Sequence, residues 1–341
     1  MTAPGALRLL GTAMDLYKQV FVAGAVAPLL SNPQPVRNSG FDRDVVVEAV
    51  EQVAVDVVAL TLRAPDGGVL PAWKPGAHLE LFLPSGRQRR YSLCGNPRDR
   101  FRYRIAVRRI AEGDGGSREV HEVLRAGAAV RIRGPRNAFG FVEAPSYLFL
   151  AGGIGITPIL PMVRAAGARG QLIYLGSSRD RMPFLDELPG AEVRPDDEYG
   201  PPDLAELLKK AEPGAAVYVC GPPGMLAAAQ RLAFDINPTG SLHAERFAPA
   251  PVEGGREFDL TLARSGRTVR VGATETALAA IQRVAPQVPY SCRQGFCGSC
   301  ETRVVAGAVE HRDRVPAALA RPDRMRPCVS RAAGDTLVLD C

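Results

Sequence analysis

The chain has 341 residues, too many for one ordinary core, so two or three domains are expected. Its 42 basic and 36 acidic residues leave a net charge of +6, and the excess lies in dispersed arginines. Without a lysine-rich block or a stacking aromatic platform, this excludes a nucleic-acid groove and suits phosphate-bearing ligands or an acidic partner, although a solvated basic face explains the same charge.

In the first 40 residues, Leu7, Leu10, Met14, Tyr17 and Phe21 recur at spacings of three and four, which predicts an amphipathic helix in an N-terminal extension, residues 1–40. The apolar run VFVAGAVAPLL is interrupted by Gly24 and Pro28 and is too short to cross a bilayer, and no secretory-signal pattern accompanies it.

From Phe41 onward, short strands such as VVALTLRAP, HLELFLP, FRYRIAV and AVRIRGP are separated by turn signals such as Trp73-Lys74-Pro75-Gly76. They predict an antiparallel six-stranded β-barrel over residues 41–143. Within it, RRYSLCGNP places Arg89 and Tyr91 on one face of a strand, a guanidinium beside a flat ring, fit to hold a phosphate and a planar group together. The segment GDGGSREV offers a second anion site, with Gly115 and Gly116 freeing the backbone and Ser117 able to cap a helix. Alone, it is an everyday helix start.

After Pro145, strands alternate with helices, which predicts an α/β doubly wound nucleotide-binding domain over residues 144–248. Its first turn, AGGIGITPIL, brings Gly152, Gly153 and Gly155 to the end of a buried strand, with Thr157 as an N-cap and Pro158 as the first helical residue. A pyrophosphate belongs at that helix start, although the turn is not the G-x-G-x-x-G fingerprint. The later CGPPG sets Cys220 at the carboxyl end of another strand, where ligands of such sheets bind.

A Pro- and Gly-containing linker, 249–256, leads to a last module, 257–341. There Cys292, Cys297, Cys300 and the distant Cys328 follow the plant-type ferredoxin spacing, C-x4-C-x2-C with a fourth thiolate from elsewhere. Gly295 and Gly298 let the loop wrap a cluster closely; zinc or unrelated reduced thiols are the plainer alternatives. The total of seven cysteines is odd, which argues against a disulfide framework and for a reducing, cytoplasmic setting.

The order RRYSLCGNP, GDGGS, GPRNAF, AGGIGITP, CGPPGM and C-x4-C-x2-C...C resembles the phthalate dioxygenase reductase and vanillate demethylase reductase family from about residue 42 to the C-terminus. The resemblance implies an FMN-binding barrel, an NAD-binding domain and an α+β β-grasp ferredoxin carrying a 2Fe-2S cluster. Carried over by position, Arg89, Tyr91 and Ser92 would contact the flavin, Gly116 and Ser117 its phosphate, and Ile105 to Val107 would lie against the ring. Gly153, Gly155 and Thr157 would face the NAD pyrophosphate. Cys220 would sit by the nicotinamide, and Phe247 near the flavin, as catalytic-site residues. Cys292, Cys297, Cys300 and Cys328 would hold the metals.

The family favours NADH, with NADPH admissible because Arg179 and Arg181 follow Ser177 and Ser178 where a 2′-phosphate would lie. The implied activity is hydride transfer from NADH to flavin, then single electrons to the cluster and on to a separate terminal oxygenase, Rieske-type or haem, from a monomer. His78, His121, His243 and His311 are expected to be structural. A redox or iron sensor, a zinc-clipped nucleotide-binding protein, and direct reduction of a small molecule stay open as other classes.

Overall fold

The computed structural model describes residues 42–111, 115–247, 252–286, 288–290, 293–295, 298–313, 321 and 323–341. The N-terminal helix expected over residues 1–40 lies outside them.

Six strands form the first sheet: β1 (Asp42–Ala54), β2 (Val57–Arg63), β3 (Ala77–Phe82), β4 (Gln88–Ser92), β5 (Arg102–Arg108) and β6 (Ala129–Asn137). Their order is β4-β3-β6-β1-β2-β5, and an antiparallel bridge between Leu93 and Ile105 joins the two ends of that order, closing the sheet on itself. Period-two alternation drives this closure, since Leu60, Leu62, Leu79, Leu81 and Ile132 all point into one core. Helix α1 (Gly116–Val123) adds Val120 to that core.

The second sheet is parallel. It contains β7 (Tyr147–Gly152), β8 (Gly170–Gly176), β9 (Glu192–Pro195), β10 (Ala216–Cys220) and β11 (Ser241–Glu245), in the order β11-β10-β7-β8-β9. Helices α2 (Ile156–Ala166), α3 (Asp196–Tyr199), α4 (Leu204–Leu208) and α5 (Pro223–Ile236) connect them. Every residue of β7 and β10 is buried, as expected of strands covered on both faces. The strand order reverses between β7 and β10, so the carboxyl ends of those two strands form the switch point where such sheets bind ligands.

These two modules share one apolar core. Val57, Ala59, Cys94, Ala106 and Phe139 of the barrel side pack with Tyr147, Phe149, Ile159 and Tyr218 of the nucleotide side. Arg104 of β5 reinforces the seam, with Nη1 2.5 Å from Glu187 Oε1 and its guanidinium 4.4 Å from the Phe184 ring.

The third module has its own core, built by Phe258, Leu260, Ile281, Leu337 and Leu339. Its strands are β12 (Phe258–Leu262), β13 (Arg267–Val271), β14 (Thr302–Ala306), β15 (Val309–Glu310), β16 (Arg324–Met325), β17 (Arg331–Ala332) and β18 (Thr336–Leu339), and its helix is α6 (Ala277–Val284). The sheet order is β13-β12-β18-β14-β16, with β12 and β18 parallel and β15 paired to β17. Thr276 caps α6 by accepting from the Ala279 N–H at 3.1 Å.

Two arginines bind the end of the linker to this module. Arg312 donates to the carbonyls of Glu253 at 2.7 Å and Gly254 at 3.3 Å, and the buried Arg331 donates to those of Arg256 at 2.7 Å and Gly272 at 2.9 Å. The chain from Glu253 onward is therefore part of the module's surface.

Candidate functional site

The β4 motif serves two faces of its strand. Arg89 and Tyr91 lie opposite Leu81 and Leu79, while Arg90 and Ser92 lie opposite Glu80 and His78 on the other side. On the first face Arg89 packs on Gly116, where an added Cβ would come within 2.3 Å of Arg89 Nε and displace the guanidinium. Gly115 enters α1 at φ 84° without a side-chain cap. Ser117 does not cap the helix as expected: winding begins one residue earlier, at Gly116, and the Ser117 hydroxyl accepts from the Ile110 N–H at 3.1 Å. The Ile105 and Val107 side chains are buried in the barrel core, so only their backbone edge is available to a planar ligand.

The glycine turn after β7 is set by the close approach of two chains. A Cβ on Gly155 would stand 2.1 Å from the Cys220 carbonyl oxygen, and one on Gly152 would meet Pro222 Cδ at 2.7 Å. Helix α2 begins at Ile156 because a short 3-10 turn, Gly153–Gly155, runs directly into it. This corrects the expected cap: Thr157 is the second helical residue, its buried hydroxyl donating to Ile154 O at 3.0 Å, and Pro158 is the third. Gly153 adopts φ 51°.

Cys220 is fully buried between Ala151 and Glu245 on the neighbouring strands, and burial pushes its thiol well above the ordinary range, with Glu245 adding to the effect. Glu245 is a functional candidate that sequence reasoning missed. It is 6% exposed, receives a hydrogen bond from Ser92 across the module boundary, and its Oε2 has no hydrogen-bond partner among the described residues. Burial raises its carboxyl to about 7, against the opposing pull of Arg90. The available signal was its position, an acidic residue at the carboxyl end of a parallel strand. Phe247 follows two residues later and is exposed.

At the end of β8 the two arginines placed to meet a 2′-phosphate already have partners. Arg179 forms a two-point pair with Glu198 at 2.6 and 3.0 Å, and Arg181 lies 3.4 Å from Asp56. Glu198 is held below the usual carboxylate range by the Arg179 hydrogen bond. The adjoining α3 is acidic throughout its first turn, at Asp196, Asp197 and Glu198.

Cys300 and Cys328 are buried together with Leu278 and Tyr290, while Cys292, Cys297 and Phe296 lie outside the described residues. Gly295 and Gly298 take φ 79° and 76°, the left-handed turns that a loop wrapping a cluster requires, and a Cβ on Gly295 would strike Val329 Cγ2 at 2.6 Å. Arg326 donates to Gly295 O at 2.7 Å, bringing the Cys328 segment onto the loop. Among the described residues, Gln294 Nε2 donates to Arg246 O and Tyr290 lies under the Arg89 guanidinium, which links this module to the rest of the protein. The described residues thus fit a flavin phosphate and a dinucleotide, and they bring two of the four thiols, Cys300 and Cys328, together beside the glycine loop.

The four histidines are engaged structurally. His121 bonds to Val107 O, His243 stacks on Tyr218, His311 sits 3.7 Å from Asp313, and burial lowers His78 to about 3, so that it is neutral. Among the described residues, no helix is long and apolar enough to cross a membrane.

Residues 260–333 match the model of the 2Fe-2S iron-sulfur cluster binding domain, which sets the zinc alternative aside. Vanillate O-demethylase oxidoreductase of a Pseudomonas strain is 38% identical over 314 residues, 87% of this chain and 99% of that protein. The solved structure of phthalate dioxygenase reductase, described as a modular structure for electron transfer from pyridine nucleotides to 2Fe-2S, aligns with a TM-score of 0.67 at 34% identity, covering 89% of this chain and 98% of that one. An intact type IV self-sufficient cytochrome P450 monooxygenase aligns with a TM-score of 0.64 at 39% identity, over 88% of this chain and 41% of its own. At these identities and over nearly the whole length of both relatives, this chain belongs to the phthalate dioxygenase reductase and vanillate O-demethylase reductase family.

Proposed function

We propose that the chain is the reductase component of an oxygenase system, drawing electrons from NADH by way of FMN and a 2Fe-2S cluster and delivering them to a separate oxygenase. The observation that carries this reading is the convergence of three modules: Arg89 of the flavin strand lies 5.0 Å from Tyr290 of the cluster module, and Gln294 reaches Arg246 beside Phe247. When bound, a flavin accepts a hydride from nicotinamide and releases electrons singly, the conversion that a one-electron cluster needs.

In this reading Gly116, Ser117 and the α1 amino end hold the FMN phosphate, while Arg89, Tyr91, Ser92 and the backbone of Ile105 to Val107 frame the ring. FMN in place of FAD follows the family resemblance of chains that carry the C-terminal cluster. Gly153, Gly155 and Thr157 shape the pyrophosphate turn, Cys220 borders the nicotinamide, Phe247 lies near the flavin, and Cys292, Cys297, Cys300 and Cys328 are the cluster ligands. The acceptor class follows the relatives' names, which include both an O-demethylase and a cytochrome P450 monooxygenase. A cytoplasmic setting, supported by the odd number of cysteines, and a monomeric state complete the proposal.

NADH is favoured because the acidic first turn of α3 repels a 2′-phosphate and occupies Arg179. Replacing Glu198 by Gln should raise kcat/KM for NADPH by roughly tenfold while changing that for NADH little; an unchanged ratio in steady-state assays would remove Glu198 from cofactor choice.

Cys328→Ser should abolish the cluster's visible absorbance and cut reduction of a one-electron protein acceptor by roughly 100-fold, yet leave flavin reduction by NADH within about twofold. Retention of a normal cluster spectrum in that variant would contradict the assigned ligand set.

A carboxylate at Glu245 favours the positive charge that a nicotinamide beside Cys220 gains as its hydride leaves. Because its carboxyl titrates at about 7, it is neutral below that pH and ionised above it. The rate of flavin reduction by NADH should therefore rise as pH rises through 7, and Glu245→Gln should flatten the profile. Equal pH slopes in the two proteins, measured by stopped flow, would exclude this role.

A further inference from the structure

The boundary between the cluster module and the barrel turns on one aromatic ring. Tyr290, 6% exposed, lies between two cations: the Arg89 guanidinium carbon is 5.0 Å from the ring centroid and that of Arg293 is 4.3 Å away. Arg89 belongs to β4 and rests on Gly116, so its far side is fixed by the phosphate cradle. Arg293 belongs to the cluster loop and stands at φ 53°, an uncommon conformation for a residue with a side chain, held two residues from a glycine whose carbonyl is bound by Arg326. The body of the ring packs with Leu278, Cys300 and Cys328. Tyr290 thus joins the cradle on one side to the cluster cysteines on the other.

The surrounding boundary is incompletely filled. A cavity of about 230 Å³ opens beside the ring, between Gly86–Arg89 of the β3–β4 turn and strand and Gln282, Pro286, Val288 and Pro289 of the cluster module. The barrel and nucleotide modules share a continuous apolar core, whereas the third has a separate one, so its orientation depends on a few contacts of this kind. Desolvated cation–π contacts are among the stronger interactions a single ring can make.

We infer that Tyr290 is a positioning residue: clamped between Arg89 and Arg293, it holds the cluster module docked on the flavin barrel and so sets the rate at which single electrons cross between them. No bond is made or broken in that step; one electron leaves the flavin side and one is gained by the cluster. The inference rests on the reductase reading, and it assigns the holding to the π-face of the ring, which Tyr290→Phe keeps.

The test uses the full-length, cofactor-loaded protein with Tyr290→Leu and Tyr290→Phe. In anaerobic stopped flow, Tyr290→Leu should reduce its cluster roughly tenfold more slowly, equivalent to about 1.4 kcal/mol of lost docking, with flavin reduction by NADH and the cluster's paramagnetic resonance unchanged. Tyr290→Phe should behave as wild type. Independently of turnover, hydrogen exchange in residues 86–89 and 282–290 should speed up in Tyr290→Leu and not in Tyr290→Phe. Should Tyr290→Leu lose its cluster, Arg293→Asn removes one clamp while keeping a residue suited to the left-handed backbone, and a roughly threefold slowing is expected. Wild-type cluster reduction or exchange in either clamp variant, or a Phe variant as slow as Leu, overturns the inference alone. A wild-type protein without flavin or cluster bands overturns the reductase reading and this inference together.

Discussion

The shared apolar core between barrel and nucleotide module is the constraint on which the site depends. Phe139, Cys94 and Ala106 pack among Tyr147, Phe149 and Tyr218, and burying one such large side chain stabilises by roughly 2 kcal/mol. With the two modules locked in this way, the carboxyl ends of β10 and β11 face β4, and Ser92 reaches Glu245. The turn that would receive a dinucleotide is pinned by the same packing, since Gly155 lies against the Cys220 carbonyl.

A rigid pair and a separately built third module suit electron transfer for different reasons. Hydride transfer needs reacting atoms held at near contact, which a shared core supplies. Single-electron transfer to an external partner needs the cluster module to present an accessible face, and its independent core permits that. The arginine clasps on Glu253, Gly254 and Arg256 show that the module carries the end of its linker with it. The burden of docking then falls on side-chain contacts such as those of Tyr290 and Gln294.

Much of this was legible in the sequence because the chemistry is local there. The cysteine spacing carried the cluster, the glycines at 295 and 298 carried its loop, and the change from period-two strands to alternating strands and helices marked the second sheet. The caps failed for a local reason of another kind: a left-handed Gly115 opens α1 at Gly116 and a 3-10 turn runs directly into α2, so Ser117 and Thr157 fell inside the helices and bonded elsewhere. The fates of Arg179 and Arg181 depended on Glu198 and on the distant Asp56, which no local pattern reveals. Glu245 and Tyr290 were missed because their importance comes from burial at boundaries between modules. A carboxylate in HAERF and a tyrosine before SCRQGFC look ordinary until the fold brings Ser92 and Arg89 to them.

The most direct measurement of the central claim is an anaerobic absorption titration of the purified protein with NADH, followed by identification of the released flavin. The proposed electron path predicts flavin bands and the broad cluster shoulder in the resting spectrum, both bleached by NADH, and FMN on release. Flavin bleaching with a cluster that stays oxidised, or no bleaching by NADH at all, would contradict it.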